Sequence, residues 1–311
     1  MKKPSSAKRH LKHTTVTTLQ LHSMCLLPVI LVFVFSYLPM IGIIMGFKDF
    51  RFDLGMFGSP WVGFENFEIF LRSNDFAKVA WNTVSLNVVF IAVSTVCQIL
   101  LAVFLYEVRS RRATKVYQTV LITPHFVSWV IAGYMLYAFL NPQLGFVNRF
   151  LAALGIKGIS WYSEPKYWTV ILTIAYVWKN IGMNSVIYYA ALMGVDSSLV
   201  EAAQIDGANK IQTTVRVVIP QLYTLITILT ILAIGGIFRA DFGLFYQLPR
   251  NVGALYEVTD VMDTWVYRTM RVVGDMSIST AAGLIQSVVG FALVVITNTV
   301  VKKIDPDRAL F

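Results

Sequence analysis

The chain has 311 residues, of which 56% are hydrophobic and 14% charged, with a formal net charge of +9. Length alone would allow two soluble domains, but this apolar fraction and a mean hydropathy of +0.64 exclude that reading and point to a chain immersed in lipid. Its two cysteines, Cys25 and Cys97, sit in separate apolar runs, with no metal-ligand spacing and no case for a disulfide, so both read as packing residues.

In chain order, residues 1–23 hold Lys2, Lys3, Lys8, Arg9 and Lys12 and no acid. The sequence is then uncharged from His13 to Phe47. That interval is too long for the apolar part of a cleaved signal and carries no small-x-small cleavage site, so an uncleaved membrane helix over Met24–Phe47 is expected. Further uncharged intervals fall at Val79–Tyr106, Val116–Asn148, Val217–Phe238 and Met276–Val301, with Tyr167–Val195 interrupted only by Lys179. Each exceeds the ~20 residues needed to cross a bilayer core. The expected fold is therefore an all-α polytopic membrane protein with six transmembrane helices in a body spanning 24–303. Phe146–Leu154 is too short to span and reads as an interfacial or extramembrane helix.

Charge orients these spans. Residues 1–24, 106–116, 196–216 and 302–311 together carry fourteen Lys and Arg against six acids. The positive-inside rule places them in the cytoplasm, with both termini, including the segment 1–23 and the tail 304–311. The positive excess is then ordinary membrane topology, and a nucleic-acid partner is not needed to explain it.

One of these segments is unusual: the polar interval Asp196–Pro220, wedged between two apolar stretches. Ser198 and Glu201 have the spacing of a capping box, Gly207 suits a helix end that needs positive φ, and Pro220 suits the first turn of a following helix. Two short helices joined at a glycine elbow are expected. No phosphate-binding glycine loop occurs, so this chain does not hold ATP by that route. His10, His13, His22 and His125 lack zinc-ligand spacing, and no nucleophile sits beside a base in a recognisable context. Asp260 and Asp263 are the one tempting carboxylate pair, in a loop where capping would also employ them. Catalysis by this chain is not expected.

The hook carries a specific resemblance. Glu201-Ala202-Ala203, three residues, Gly207, nine residues, Val217, one residue, then Ile219-Pro220 resembles the "EAA" loop of binding-protein-dependent ABC import permeases. The run Glu201-Ala202-Ala203-Gln204-Ile205-Asp206-Gly207-Ala208 is similar to the carbohydrate-uptake, maltose-type branch, and Thr259–Arg268 with Ser277–Lys303 looks most like its complex oligosaccharide and polysaccharide subgroup. Two departures are mild: Ile219 stands where Leu is usual, and the common aromatic near Val215 is missing. The resemblance covers roughly 24–303. It implies a permease subunit paired with a second, similar permease, two cytoplasmic ABC ATPase subunits and an extracytoplasmic solute-binding protein. No cofactor is expected in this chain, since ATP and Mg²⁺ would belong to the ATPase. Glu201, Ala202, Ala203, Asp206, Gly207 and Pro220 would couple the two, the small alanines letting a groove in the ATPase close around the helix.

Lys179 is the second feature. It lies twelve residues into its apolar interval, ~18 Å along a helix, where an ionisable group is a functional candidate by default. Tyr176, Asn180, Asn184 and Tyr188 recur every four residues beside it and form one helical stripe able to hydrogen-bond and stack on sugars. The competing reading is that the asparagines are interhelical glue and that Lys179 caps a carbonyl. Asn87, Trp129, Tyr134 and Tyr137 are lower-ranked candidates for a substrate path. An ion-coupled transporter would want a carboxylate inside the spans, and none falls there. A membrane enzyme would want a catalytic cluster at the interface, and only Asp260 and Asp263 approach one.

Overall fold

The computed structural model describes Thr18 and residues 22–304. The expected basic segment 1–23 and the tail 304–311 thus lie outside the described residues, save Thr18, His22, Ser23 and Ile304. Among the described residues there is no β-strand, only an isolated bridge between Lys48 and Trp61.

The principal helices in chain order are α1 (His22–Phe47), α2 (Glu65–Arg72), α3 (Asn74–Glu107), α4 (Arg111–Phe126), α5 (Trp129–Leu140), α6 (Phe146–Ala153), α7 (Pro165–Leu192), α8 (Ser197–Ile205), α9 (Lys210–Gly235), α10 (Phe242–Gln247), α11 (Met262–Arg268) and α12 (Met276–Ile304). Helices α1, α3, α7, α9 and α12 are each long and apolar enough to cross a membrane, and a sixth span exists if α4 and α5 are taken together.

That sixth span departs from expectation. Val116–Asn148 is not one helix: α4 and α5 meet at 94°, and Phe146–Asn148 already belongs to α6. Pro124 and Ser128 cause the break. Pro124 sits in a tight last turn, and the Ser128 hydroxyl accepts the Ile131 N–H at 3.3 Å, starting α5 in a new direction. A second departure concerns Pro220, which begins no helix. It lies inside α9, directly after the widened turn Thr214–Val218, where the Ile219 N–H reaches back to the Thr214 carbonyl. The wider turn accommodates the ring and the missing N–H of the proline. The same device precedes Pro39 in α1.

Helices α3 and α7 pack along their length, α12 lies against the second half of α1 and against α2, and α9 crosses α12. Three apolar clusters hold the body together. One gathers Phe90, Trp168, Leu172 and Leu244; a second Phe70, Val79 and Met262; a third Ala102, Tyr188, Leu192 and Leu222. The third lies at the end of α3 that meets the 196–220 hook, and the first two lie toward its other end.

Helix α4 comes closest to α7 at Gly182, where an added Cβ would stand 1.8 Å from the Leu121 carbonyl oxygen. Both contacting groups are backbone, so neither can swing away. G182V is expected to destabilise the subunit by ~1–3 kcal/mol, the usual range for overpacking, read as a lowered melting temperature of the purified protein in detergent. S185A on the same face should melt nearer the parent.

Candidate functional site

The hook is a compact, well-capped unit. Asp196 caps α8 by accepting the Ser198 N–H at 2.9 Å, and these hydrogen bonds hold its carboxyl below the usual range. Ser198 and Glu201 therefore do not form the expected capping box. The box occurs at the second helix instead: Asn209 accepts the Gln212 N–H at 2.9 Å, while the Gln212 side chain accepts the Asn209 N–H at 2.8 Å. Between them Gly207, at φ +82°, closes α8. The Ala208 N–H reaches the Ala203 carbonyl at 2.9 Å and the Gly207 N–H reaches Gln204 at 3.1 Å, the paired bonds of a Schellman end. With both helix ends satisfied, α8 stands at a fixed angle to α9.

Glu201, Ala202, Asp206 and Gly207 are exposed and Ala203 is half-buried. Ile205 and Ile211, on either side of the elbow, are 86% and 76% exposed. Behind the elbow the Lys210 ammonium meets Glu107 at 2.8 Å, and the Thr214 hydroxyl donates to the same carboxylate at 3.4 Å. These contacts bind the start of α9 to the end of α3. A cleft of about 410 Å³ opens beside them, lined by Tyr106, Arg109, Gln204 and Lys210 among others.

Lys179 meets the break between α4 and α5. Its ammonium donates to the carbonyl of His125 at 2.8 Å and to that of Val127, and lies 5.2 Å from the centre of the Trp129 ring. Those carbonyls close α4 and have lost their helical partners to the bend, so a cation there also suits the helix dipole. The Trp129 indole N–H donates to Asp241 at 2.6 Å, and the other Asp241 oxygen caps α10. One cluster thus fixes α5, α7 and α10 together. Of the stripe on α7, Tyr176 stacks on Phe90 with ring centres 4.6 Å apart, Tyr188 is buried in the third cluster, and the Asn180 amide donates to the Tyr176 carbonyl at 3.0 Å. Asn184 stays half-buried.

Asn87 performs a similar task at a second interruption, residues 236–241. Its amide donates to the carbonyls of Ile237 at 2.9 Å and Arg239 at 3.2 Å. Gln286 donates to Phe238 at 2.6 Å, and Asp263 accepts the Ala240 N–H at 2.7 Å. Burial pushes the Asp263 carboxyl above its ordinary range, against these hydrogen bonds. Asp260 instead pairs with Arg268 at 2.5 Å and accepts from the Thr264 hydroxyl at 2.9 Å. The two carboxylates thus hold different parts of the fold and form no joint acid–base site.

A group of which sequence reasoning ranked only Tyr134 and Tyr137 as candidates sits where α5 meets the end of α10. Tyr134, Tyr246, Gln247, Arg250 and Asn251 line a polar cleft of about 200 Å³. The guanidinium of Arg250 lies 4.2 Å from the Tyr137 ring centre and 5.8 Å from that of Tyr134. Only the left-handed conformation of two consecutive residues, Arg250 at φ 57° and Asn251 at φ 51°, turns the chain enough to deliver it there. In the sequence the only trace of this turn is the run Leu248-Pro249-Arg250-Asn251.

Comparison with known proteins agrees with this architecture. Residues 94–307 match the family described as binding-protein-dependent transport system inner membrane component. Protein LplB of Bacillus subtilis is 33% identical over 283 residues, covering 91% of this chain and 88% of that protein. The polygalacturonan/rhamnogalacturonan transport system permease protein YteP of the same organism is 33% identical over 269 residues, covering 86% and 83%. Among solved structures, a bacterial ABC transporter involved in the import of the acidic polysaccharide alginate superimposes with a TM-score of 0.85 at 31% identity, over 95% of this chain and 99% of that one. A bacterial alginate ABC transporter in complex with an alginate pentasaccharide-bound periplasmic protein gives 0.83 at 30% identity, over 94% and 97%.

Replacing Lys179 by Met removes the donor from two buried carbonyls while keeping the length of the side chain. Hydrogen bonds from a charged group contribute ~1.5–3 kcal/mol each, and the orphaned acceptors add a desolvation cost. K179M is expected to lower the melting temperature of the purified protein, and K179R should recover part of the loss. Identical melting of K179M and the parent would remove the clasp from the account of the bend.

Proposed function

Since the chain belongs to the family of binding-protein-dependent transport system inner membrane components, and is thus the membrane permease of an ABC importer and no enzyme, we propose that it forms one half of a path for an acidic oligosaccharide. It works with a second permease and with ATPase subunits. The solute-binding protein that serves it would dock on the face opposite the hook. The cargo reading is supported by the names of the relatives, one a polygalacturonan/rhamnogalacturonan permease, and by two alginate importers of the same fold.

The hook is the coupling element in this reading, and its geometry is the observation that carries it. A short helix capped at both ends, with two exposed isoleucines and two alanines beside its elbow, is a rigid apolar surface fit for a groove in a partner. Its charge pattern supports a cytoplasmic position for it and for both termini. Glu201 and Asp206 face outward and are free to meet basic groups of the ATPase. Any closure of that partner moves α8, and through the Gly207 elbow it moves α9. The substrate path passes the α4–α5 break, where Lys179, Asn180 and Asn184 remain half-exposed, while Tyr176, Tyr188 and Asn87 act behind it as packing and capping residues.

Gly207 tests the coupling. A β-branched residue in the left-handed conformation costs ~1–2 kcal/mol, so G207V should reshape the elbow while leaving the spans inserted. The expected result, for the intact complex in liposomes, is a loss of at least tenfold in sugar uptake with basal ATP hydrolysis retained. Unchanged uptake in an assembled G207V complex would defeat the coupling role.

A further inference from the structure

The Arg250 cleft has a property that the rest of the fold does not require. Three other buried or half-buried cations have work within the chain: Lys179 holds two carbonyls, Arg268 pairs with Asp260, and the Lys48 ammonium donates to the Phe57 carbonyl at 2.8 Å. Arg250 makes no ion pair among the described residues and is exposed, held only by the faces of Tyr134 and Tyr137. The backbone beneath it is in the left-handed region at two successive non-glycine residues. That conformation costs ~1–2 kcal/mol per residue and returns no intramolecular bond to the guanidinium. Strain of this kind collects where a side chain must be presented to something else.

The surroundings are matched to one kind of ligand. Arg250 offers a planar fork suited to a carboxylate. Tyr134, 66% exposed, offers a ring face and a hydroxyl; Tyr246, whose ring stacks on Phe242, offers its hydroxyl; Gln247 offers an amide, and Asn251 its amide N–H groups, its oxygen accepting from the Tyr256 hydroxyl at 2.8 Å. No acid lines the cleft. Tyr162 also approaches the guanidinium, but burial pushes its phenol up to about 12, so it stays neutral and leaves the positive charge uncompensated. The volume of about 200 Å³ is below the ~300–1,000 Å³ of drug-sized sites and fits a single saccharide unit better than a chain. The cleft also lies on the same helix as the bend. Trp129, which carries Lys179 on its face, and Tyr137, which carries Arg250, are eight residues apart on α5, or ~12 Å.

We propose that Arg250, with Tyr134, Tyr246, Gln247 and Asn251, forms a subsite that binds the carboxylate of one uronic acid unit as the oligosaccharide enters the permease. The inference rests on the reading of the chain as an importer of acidic sugars and adds a residue that discriminates by charge. Selection is thus shared between the binding protein and the membrane subunit. An ester or neutral sugar leaves the guanidinium unpaired and the cleft without its main attraction.

The test uses the complete complex in liposomes, with galacturonate or alginate tetrasaccharides and their methyl esters, each presented on saturating binding protein so that its own affinity drops out. The quantity read is the ratio of uptake rates, charged over esterified. R250N removes the charge and suits the left-handed backbone, and R250Q serves if R250N fails to assemble. The ratio is expected to fall about tenfold, the scale of a lost charge-assisted pair, while R250K keeps most of it. A parent ratio well above one that R250N and R250Q leave unchanged overturns the subsite and spares the cargo reading. A parent complex that imports neither sugar overturns the cargo reading and the subsite with it. An R250N effect that follows the anionic lipid content of the liposomes, whatever the charge of the sugar, assigns Arg250 to lipid headgroups and also overturns the proposal.

Discussion

A helix that breaks among apolar segments releases carbonyl and N–H groups that need new partners, and the architecture of this chain follows from how those groups are satisfied. Among the described residues two such breaks stand out, at Val127–Ser128 and at 236–241. Each is closed by side chains from other helices: Lys179 of α7 at the first, and Asn87 of α3, Asp263 of α11 and Gln286 of α12 at the second. Polar residues within apolar spans are costly unless paired. Here they are paired with backbone, and that pairing permits the bends. The bends in turn let α10 enter the body against α5 and create the polar cleft beside it.

Much of the architecture was legible from charge and hydropathy because both respond to the same physical boundary, the edge of the hydrocarbon. Four of the six uncharged intervals became single long helices, and Tyr167–Val195 did so despite Lys179. The interval Val116–Asn148 hid its break because hydropathy does not see direction. Helices α4 and α5 are apolar alike, and the only signs of the 94° turn were Pro124 and Ser128, residues that many straight membrane helices also contain. The Pro220 error has the same origin. Local rules place a proline at a helix start, but a widened turn five residues long can absorb it, and nothing in Thr214–Val218 announces such a turn.

Site residues divide along a similar line. In the hook, the helix end at Gly207 was readable because it is local, whereas the expected Ser198–Glu201 box was misplaced: Asp196 and Asn209, equally local, cap the two helices instead. Lys179 and the α7 stripe could be found as an anomaly in an apolar run, yet their partners come from α3, α4 and α9, at distances in sequence that periodicity does not connect. Tyr176 and Tyr188 pack against the body of the subunit, while Asn180 and Asn184 on the same stripe stay half-exposed. Arg250 was invisible for the opposite reason. A turn arginine is unremarkable in sequence, and its meaning comes from two aromatic rings more than a hundred residues earlier.

The two ends of the molecule are joined by a short mechanical chain. Helix α9 runs 26 residues from Lys210 to Gly235, ~39 Å at the usual rise, directly from the elbow to the second break. At its start Lys210 and Thr214 bind Glu107 of α3, and just past its end Asn87 of the same α3 holds Ile237 and Arg239. Helices α3 and α9 are therefore linked at two points and move as a pair. The 236–241 segment then leads into α10, which is anchored through Asp241 to Trp129 at the first break. Under the proposed coupling role, a rotation imposed on α8 would travel along α9, past the widened turn at Thr214–Val218, to 236–241. There the chain is held by side-chain hydrogen bonds and lacks a continuous helical ladder, so under the proposed coupling role these two breaks, and the cleft between α5 and α10, are where a movement of the hook would change the shape of the proposed path.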